Sequence, residues 1–408
     1  MTAFEVHTES YLIVDHGVVN GIYKTVPDIY RGLPIADYGK NLIIPGFVDL
    51  HTHAAQFNQR GFGLDMQLLE WLNQYTFPEE HKFRDPDYGA RVYGLFVDEL
   101  VRQGTTRVSV FGTVHQKSNQ LLFEILVEKG LGAYVGKVNM DANCPEFLKE
   151  NTQASLADTE EFLATYSGHS LVKPIVTPRF APTSTSKLLA GLGRLANRYN
   201  IPIQSHLAEN QNEIEWVKEI FPKQLEYHNV YQHYGLFGQT PTLMAHCIYL
   251  SGHTIDCMKT NKVIAVHCPD SNMNLTSGMM PVRQLLDAGI HVGLGTDIGA
   301  GHSLSMPQTI VKAIQLSKVN YLLHDSQKPL TLPEAFYMAT KGGGSFFGKV
   351  GSFEVGYSFD ALVIEDRTQG EEYSVIEQLQ RFIYAGNPEN ITERYIAGEK
   401  IEQNNRVL

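Results

Sequence analysis

The sequence LIIPGFVDL at residues 42–50 is a β-branched apolar run that leads directly into His51-Thr52-His53. Segments with helical spacing of apolar residues, such as 121–129, 187–199 and 212–220, separate it from further runs of the same kind. Those runs lie at residues 106–114, 132–140, 172–177, 201–206, 241–246, 262–267 and 290–297. Strands that alternate with amphipathic helices indicate βαβ units and a parallel sheet. Eight such units predict an α/β protein with a (β/α)8 TIM barrel.

Both ends of the chain depart from this alternation. Residues 4–40 contain short strand-like runs between turn residues, for example YLIV at 11–14. Near the other end, FDALVI at 359–364 is again strand-like, and residues 371–382 have helical spacing. We therefore expect a small β-subdomain assembled from both chain ends, because independent tails would not carry the composition of buried strands. The predicted boundaries are 1–44 for its N-terminal part, 45–346 for the barrel and 347–408 for its C-terminal part.

The overall charge restricts the classes of partner. The 408 residues include 33 basic and 44 acidic side chains, which gives a net charge of -11. Such a chain is repelled by phosphate backbones and anionic lipids, which argues against nucleic acid or a membrane as partner. The four cysteines are scattered without a Cys-x-x-Cys pair, and no run approaches 18 apolar residues. The N-terminal stretch has no signal-peptide pattern. We expect a soluble, cytoplasmic protein that acts on a small molecule.

Histidine and aspartate residues recur where the predicted strands end. His51 and His53 are two positions apart, so both side chains project from the same face of the first strand. His206 ends the fifth predicted strand, His246 the sixth, and Asp297 the eighth. Active sites of TIM barrels lie at the carboxyl ends of the strands. These residues therefore predict a metal site at the mouth of the barrel.

Four segments resemble motifs of the amidohydrolase superfamily of metal-dependent hydrolases. They are PGFVDLHTH at residues 45–53, SHLAE at 205–209, AH at 245–246 and GTD at 295–297. Four others are similar to the guanine deaminase family within that superfamily: HAAQF at 53–57, LLEWLNQYTFPEE at 68–80, TPRF at 177–180 and HCPDSN at 267–272. The resemblance runs in order from about residue 42 to residue 345.

This resemblance implies a site and a reaction. The metal ligands would be His51, His53, His206 and Asp297, with an open position for water. Three imidazoles and a carboxylate suit one Zn²⁺ ion better than Mg²⁺ or Ca²⁺, and Fe²⁺ stays open on ligand type. The implied reaction is hydrolytic deamination of guanine to xanthine and ammonia, in which the metal lowers the pKa of the attacking water. Within the resemblance, the predicted catalytic residues are Glu209 as proton shuttle, His246 as the group that polarises the developing oxygen, and Asp297 as proton acceptor.

The hydrogen-bonding groups on the edges of guanine indicate which side chains could select this base. Guanine presents O6 and N7 as paired acceptors, which a guanidinium fork such as that of Arg179 matches. Phe180 could stack on the ring, and the Gln56 amide could bind another edge. Arg179 as a surface ion-pair partner and Phe180 as a core residue are the alternatives, and the role of Trp71 stays open. The predicted substrate contacts are His53, Gln56, Arg179, Phe180, His206, Glu209, His246 and Asp297.

Three other functions compete with this interpretation. A deaminase of another purine, a pyrimidine or a triazine would carry the same metal motifs. A two-metal amide hydrolase would need a lysine at the end of the fourth strand, but Lys173 stands at its beginning. A metal-free scaffold protein of the same fold would have lost a ligand or the acid, and all of them are present. Family resemblance also implies a homodimer.

Overall fold

A computed structural model describes residues 3–324, 328–366 and 373–402. Its strands are β1 (Tyr11–Asp15), β2 (Val18–Tyr23), β3 (Leu42–Pro45), β4 (Phe47–His53), β5 (Thr105–Phe111), β6 (Gly132–Gly136), β7 (Val138–Asn139), β8 (Val172–Pro174), β9 (Thr177–Pro178), β10 (Ile203–Leu207), β11 (Thr242–His246), β12 (Ile264–His267), β13 (Val292–Leu294), β14 (Ala361–Ile364), β15 (Ile391–Ile396) and β16 (Glu399–Lys400). Its helices are α1 (Leu68–Trp71), α2 (Phe77–His81), α3 (Pro86–Arg102), α4 (Gln116–Lys129), α5 (Thr152–Tyr166), α6 (Ser186–Tyr199), α7 (Gln211–Ile220), α8 (Tyr227–His233), α9 (Gly252–Thr260), α10 (Pro269–Asn274), α11 (Val282–Asp287), α12 (Met306–His324), α13 (Leu332–Tyr337) and α14 (Val375–Ala385).

The central strands form the predicted parallel barrel. One parallel sheet has the order β4-β5-β6-β8 and a second the order β10-β11-β12-β13, while β7 and β9 continue β6 and β8 as a parallel pair. A parallel bridge from Val176 to Ile203 connects the two sheets on one side. On the other side, the Asp297 backbone N–H donates to the His51 carbonyl at 2.8 Å. The barrel prediction is therefore confirmed.

The first apolar run differs from the prediction of a single strand. Residues 42–50 divide at Gly46, because Leu42–Pro45 form β3 and Phe47 begins β4. A Cβ atom on Gly46 would lie 2.3 Å from Thr106 Cγ2, so only glycine lets the chain pass this close to β5. The run thus supplies one strand to each of two sheets.

Both chain ends contribute to the small β-structure beside the barrel. An antiparallel sheet has the order β16-β15-β14-β3, and β1 pairs with β2 in a hairpin. The sheet is fastened to the barrel by the Arg107 guanidinium, which donates to both carboxylate oxygens of Asp360 at 2.6 and 2.8 Å. The boundaries 1–44, 45–346 and 347–408 stay a prediction. Of the helical stretch expected at 371–382, residues 371–372 lie outside the described residues.

The helices cover the barrel with one apolar face each. In α6 the buried positions include Leu188, Leu192 and Leu195, which follow the helical period. The Thr185 side chain accepts a hydrogen bond from the Leu188 backbone N–H and caps the start of this helix. In the part of the chain that the structure describes, no helix is both long and apolar enough to cross a membrane.

Candidate active site

Four predicted ligands from three parts of the barrel converge at its mouth. Each of His51, His53, His206 and Asp297 contributes one ligand-type atom, and these atoms lie within 4.8 Å of one another. His51 Nε2 is 3.2 Å and His53 Nε2 is 3.3 Å from Asp297 Oδ1, while the two Nε2 atoms of His53 and His206 are 3.2 Å apart. The barrel therefore gathers three imidazoles and one carboxylate, as their positions at the strand ends predict.

Neighbouring groups fix the orientation of this cluster. The His206 Nδ1–H donates to the Arg179 carbonyl at 2.6 Å, so its Nε2 lone pair faces the cluster. The buried Asp49 carboxylate accepts from the His51 backbone N–H at 3.1 Å and from the Thr296 hydroxyl at 2.5 Å. It thereby ties the strand of the first two histidines to the turn that carries Asp297.

Burial and charge set the protonation states of the cluster. Burial lowers the pKa of His51 to about 4, although the Asp297 carboxylate opposes this shift. Burial and the adjacent imidazoles hold the pKa of His206 well below its usual value. Burial alone would raise the pKa of Asp297, but the imidazoles, His51 foremost, hold it well below its usual value. Neutral imidazoles beside an ionised carboxylate are the forms that bind a metal.

The unsatisfied atoms of the cluster fit a metal ion. His51 Nε2 is buried and has no hydrogen-bond partner among the described residues, although Asp297 Oδ1 lies 3.2 Å away. A buried polar atom without a partner is uncommon and indicates a missing ligand or water. Three nitrogen donors and one carboxylate oxygen match the ligand preference of Zn²⁺ and of related transition metals.

Glu209 and His246 lie beside the cluster on the side of the cavity. His246 Nε2 is 3.3 Å from Glu209 Oε2 and 3.7 Å from Asp297 Oδ2. Burial raises the pKa of Glu209 to about 7. Burial would lower the pKa of His246, but the carboxylates of Glu209 and Asp297 outweigh it and raise that pKa. A carboxyl group with a pKa near neutrality can both donate and accept a proton.

The start of helix α7 holds Glu209 in place. Glu213 Oε2 accepts from the backbone N–H groups of Glu209 and Asn210 at 3.0 and 3.2 Å. The Tyr227 hydroxyl donates to the other oxygen of Glu213 at 2.6 Å. The Glu209 side chain itself accepts from the Ser277 hydroxyl at 3.0 Å. The loop after β10 is therefore pinned at both its backbone and its side chain.

Two of the site residues adopt left-handed backbone conformations. His246 has φ +71° and Asp297 has φ +49°, a region that non-glycine residues rarely occupy. Hydrogen bonds maintain this strain, since the Asp297 carbonyl also accepts from the Gly301 N–H at 2.6 Å. Such strain concentrates at functional sites, where it aims a side chain that a regular strand would direct elsewhere.

A cavity opens beside the cluster, and His53, His206 and Asp297 contribute to its lining. Gln56, Arg179 and Phe180 line it together with Trp71, so the predicted recognition residues and the cluster of predicted metal ligands share one cavity. Arg179 is buried and not at the surface, and its guanidinium binds Glu80. The ring of Phe180 meets Trp216 edge to face at 6.2 Å between centroids, on a wall of the cavity.

Three contributors were not predicted from the sequence. The Phe111 ring packs against the imidazoles of His51, His53 and His206, with centroid distances of 4.6 to 5.0 Å. Asn272 Oδ1 accepts from His246 Nδ1–H at 2.8 Å, and Glu80 binds Arg179. Phe111 ends β5, so its position at the carboxyl end of a strand was an available signal.

A family model for the amidohydrolase family matches residues 42–401, and the chain belongs to that family. Within it, the chain is 41% identical to the guanine deaminase of Dictyostelium discoideum over 379 residues, which cover 90% of this chain and 84% of that protein. It is 34% identical to the guanine deaminase of Escherichia coli over 397 residues, 95% of this chain and 88% of that protein.

Solved structures agree with this placement. A crystal structure of the guanine deaminase from C. acetobutylicum, with guanine bound in the active site, superposes with a TM-score of 0.97. It is 51% identical in sequence, and the alignment covers 98% of this chain and 96% of the other. The E. coli guanine deaminase superposes with a TM-score of 0.89 at 33% identity, covering 97% and 93% of the two chains.

Proposed function

We propose that this protein catalyses the hydrolytic deamination of guanine to xanthine and ammonia. The observation that carries the proposal is the convergence of His51, His53, His206 and Asp297 beneath a cavity that also contains Glu209. The guanine deaminases among its relatives, at up to 41% identity in the curated sequences described above, support the choice of substrate. Relatives that hydrolyse triazines are below 25% identical and support only the fold.

One metal ion, Zn²⁺ or alternatively Fe²⁺, would be held by His51, His53, His206 and Asp297. When bound there, such an ion would act as a Lewis acid that lowers the pKa of the attacking water to about 7. The second ring nitrogen of His206 is occupied by the Arg179 carbonyl, which keeps the ligand nitrogen in its neutral, acceptor form.

The chain's own acids and bases would move the protons. Asp297, held ionised by the surrounding imidazoles, accepts the proton of the attacking water. Glu209 donates a proton to the ring nitrogen beside C2, and its pKa of about 7 suits both protonation states. His246 donates a hydrogen bond to the oxygen that develops on C2. A carbon–oxygen bond then replaces the bond between C2 and its amine. Asp297 passes the first proton of the water to that amine, the Glu209 carboxylate takes the remaining hydroxyl proton as the oxygen becomes a carbonyl, and ammonia leaves.

Substrate recognition would fall to the walls of the cavity. The Arg179 guanidinium and the Gln56 amide offer N–H donors to the acceptor edge of the base. Phe180 supplies an apolar surface for the ring. His53, His206, Glu209, His246 and Asp297 would surround the reacting end.

The direct test is ammonia release by purified, metal-loaded protein from guanine, adenine, cytosine, 8-oxoguanine and small triazines. Guanine should give the highest kcat/KM, with xanthine as product. Glu209→Gln should keep the metal and lower kcat by roughly 10² to 10⁴, because glutamine has nearly the shape of glutamate but cannot act as a general acid. Metal-loaded protein that releases no ammonia from guanine would overturn the assignment.

Finer properties remain predictions. A cytoplasmic location stays an expectation from the sequence, and a role in purine catabolism is implied by the family resemblance. A homodimer is expected on the same ground, and sedimentation analysis of the purified protein measures it directly. Metal analysis of protein purified without added metal identifies which ion the cell supplies.

A further inference from the structure

Gln56 and Arg179 form the polar part of the cavity lining, which we call the recognition wall. Glu80 lies behind this wall and contacts both residues. Its carboxylate is buried, with 2% of the side chain exposed. Oε1 accepts from Gln56 Nε2 at 2.9 Å and from Arg179 Nη1 at 2.8 Å. Oε2 accepts from the same Arg179 nitrogen at 2.6 Å. One carboxylate therefore organises two side chains that are 123 positions apart.

This contact fixes which atoms of Gln56 face the base. Because Glu80 is an acceptor, the amide nitrogen of Gln56 must point toward it. The Gln56 carbonyl oxygen is in turn occupied by the backbone N–H of Gly299 at 3.0 Å. An amide group has two N–H donors, so Gln56 has one donor left for the cavity. Its carbonyl oxygen is already bound and does not face the base.

The same contact fixes the orientation and the charge of Arg179. Both bonds to Glu80 use Nη1, which leaves Nη2 and Nε of the fork as further donors. The guanidinium carbon also lies 5.2 Å from the ring centroid of Phe77, which is on helix α2 with Glu80. The carboxylate balances the guanidinium charge, so this wall suits an uncharged base and does not attract an anion.

We propose that Glu80 is a specificity-determining positioning residue that makes this wall present hydrogen-bond donors only. The inference rests on the proposed function. A purine with an oxo group at C6 offers paired acceptors to such a wall. A purine with an amine at C6 places a donor against donors and leaves buried groups unpaired, which costs a large factor in selectivity. Glu80 thus selects 6-oxopurines over 6-aminopurines without touching the base.

The test compares guanine with 2,6-diaminopurine, which keeps the reacting amine at C2 and exchanges the oxo group at C6 for an amine. Wild type should prefer guanine in kcat/KM by at least about 10³. In Glu80→Gln only one acceptor oxygen remains for Gln56 and Arg179, so the Arg179 guanidinium is no longer held in one orientation, whereas the Gly299 N–H still holds the Gln56 oxygen. Guanine kcat/KM should then fall about 100-fold, mainly through KM, and the preference for guanine should shrink at least tenfold.

Two further variants separate positioning from folding. Glu80→Asp keeps the negative charge and should retain more of the preference than Glu80→Gln does. Glu79→Gln is the matched control, because that neighbouring carboxylate binds Lys82 and Tyr88 and not the wall. Its preference for guanine should equal that of wild type, and metal content should be unchanged in all variants.

The possible outcomes are distinct. If Glu80→Gln slows both substrates by the same factor, Glu80 only supports the structure and the inference is wrong. A wild-type enzyme that deaminates guanine and 2,6-diaminopurine equally well also overturns it. A wild type that deaminates neither contradicts the proposed function itself.

Discussion

The barrel mouth and the surface between α8 and α9 both bring two or more histidines and a carboxylate together within 4.8 Å. At the mouth, His206 is fixed through its outer nitrogen, whereas the inner Nε2 of His51 has no hydrogen-bond partner among the described residues. Deep burial prevents water from compensating for such an atom. The mouth cluster therefore combines an imidazole of fixed orientation with a buried ligand-type nitrogen that has no hydrogen-bond partner, which fits a bound cation.

The cluster between α8 and α9 consists of Glu226, His228 and His253 and is already satisfied. Glu226 Oε2 accepts from His253 Nδ1 at 3.1 Å and from the Thr254 hydroxyl at 3.0 Å. His228 Nε2 accepts from Asn229 Nδ2 at 3.0 Å, so the proton of His228 is on Nδ1, the atom that faces Glu226. A nitrogen that carries a proton offers no lone pair to a metal.

The difference between the two clusters lies in their partners and not in their residue types. The Ser251 side chain caps the N-terminus of α9, and Glu226 accepts from the hydroxyls of Ser251 and Thr254 there, which is a structural task. In the described part of the chain, no side-chain atom of the mouth cluster caps a helix. A buried ligand-type nitrogen without a partner, and not the presence of histidines alone, therefore distinguishes the mouth cluster as the candidate metal site among the described residues.

The largest expected effect on kcat/KM comes from a substitution in the mouth cluster. Asp297→Asn removes both the negative charge and the proton acceptor, so kcat/KM for guanine should fall by about 10⁴ or more. Glu226→Gln makes the same chemical change in the surface cluster and should leave kcat/KM within about twofold of wild type. Ammonia release measures both variants. Comparable losses in the two would contradict the distinction between the clusters.

Metal stoichiometry sharpens the same comparison. Removal of the metal by a chelator should lower activity by at least about 10³, because the attacking water then keeps its high pKa. Reloading with Zn²⁺ should restore activity at one equivalent per chain, measured by elemental analysis. The His253→Ala variant should also bind one equivalent. A second tight equivalent that disappears in this variant would make the surface cluster a metal site after all.

Most of the fold could be predicted from the sequence because the signals are local. Each barrel strand is a short apolar run, and its neighbours have a visible helical period. The division at Gly46 could not be predicted in this way, since Leu42–Pro45 joins a strand, Ala361–Ile364, more than 300 residues away. Pairing between distant segments leaves no periodicity in either segment.

The candidate site, like the fold, could be predicted from the sequence only in part. His206, His246 and Asp297 could be predicted because the carboxyl ends of barrel strands converge wherever they occur in the sequence. Glu80 could not be assigned a role, although its segment resembles the family. A glutamate on a short helix is usually exposed, and only the folded chain places it against Arg179. Residues that act through other residues depend on contacts that a sequence pattern does not record.

An intermediate effect is expected where the recognition wall meets the metal cluster. Arg179→Ala should lower kcat/KM for guanine at least tenfold, because it removes donors to the base and leaves the Glu80 carboxylate buried without its cation. The metal content should be retained, since His206 binds the backbone carbonyl at this position and not the side chain. Arg198→Ala, at an exposed arginine paired with Glu160, is the control and should be neutral. An unchanged rate in Arg179→Ala would exclude this residue from recognition.

The smallest expected effect concerns stability and involves only the surface cluster. Glu226→Gln should lower the free energy of unfolding by about 1 kcal/mol at pH 7, because it weakens the hydrogen bonds that the carboxylate accepts from Ser251, His253 and Thr254. Urea denaturation measures it, and Glu215→Gln, an exposed carboxylate paired with Lys218, should change it by less than about 0.5 kcal/mol.

The pH dependence of that difference has a definite sign. Burial would raise the pKa of Glu226, but hydrogen bonds, the one from the Ser251 hydroxyl foremost, hold it below its ordinary value of 4.5. Because the folded protein binds this proton less tightly than the unfolded chain, the carboxylate contributes stability in full above about pH 4.5. That contribution disappears as the pH falls through the folded pKa. The gap between wild type and Glu226→Gln should therefore narrow with acidification, and a gap that widens would show that Glu226 is protonated in the fold and that its partners were misassigned.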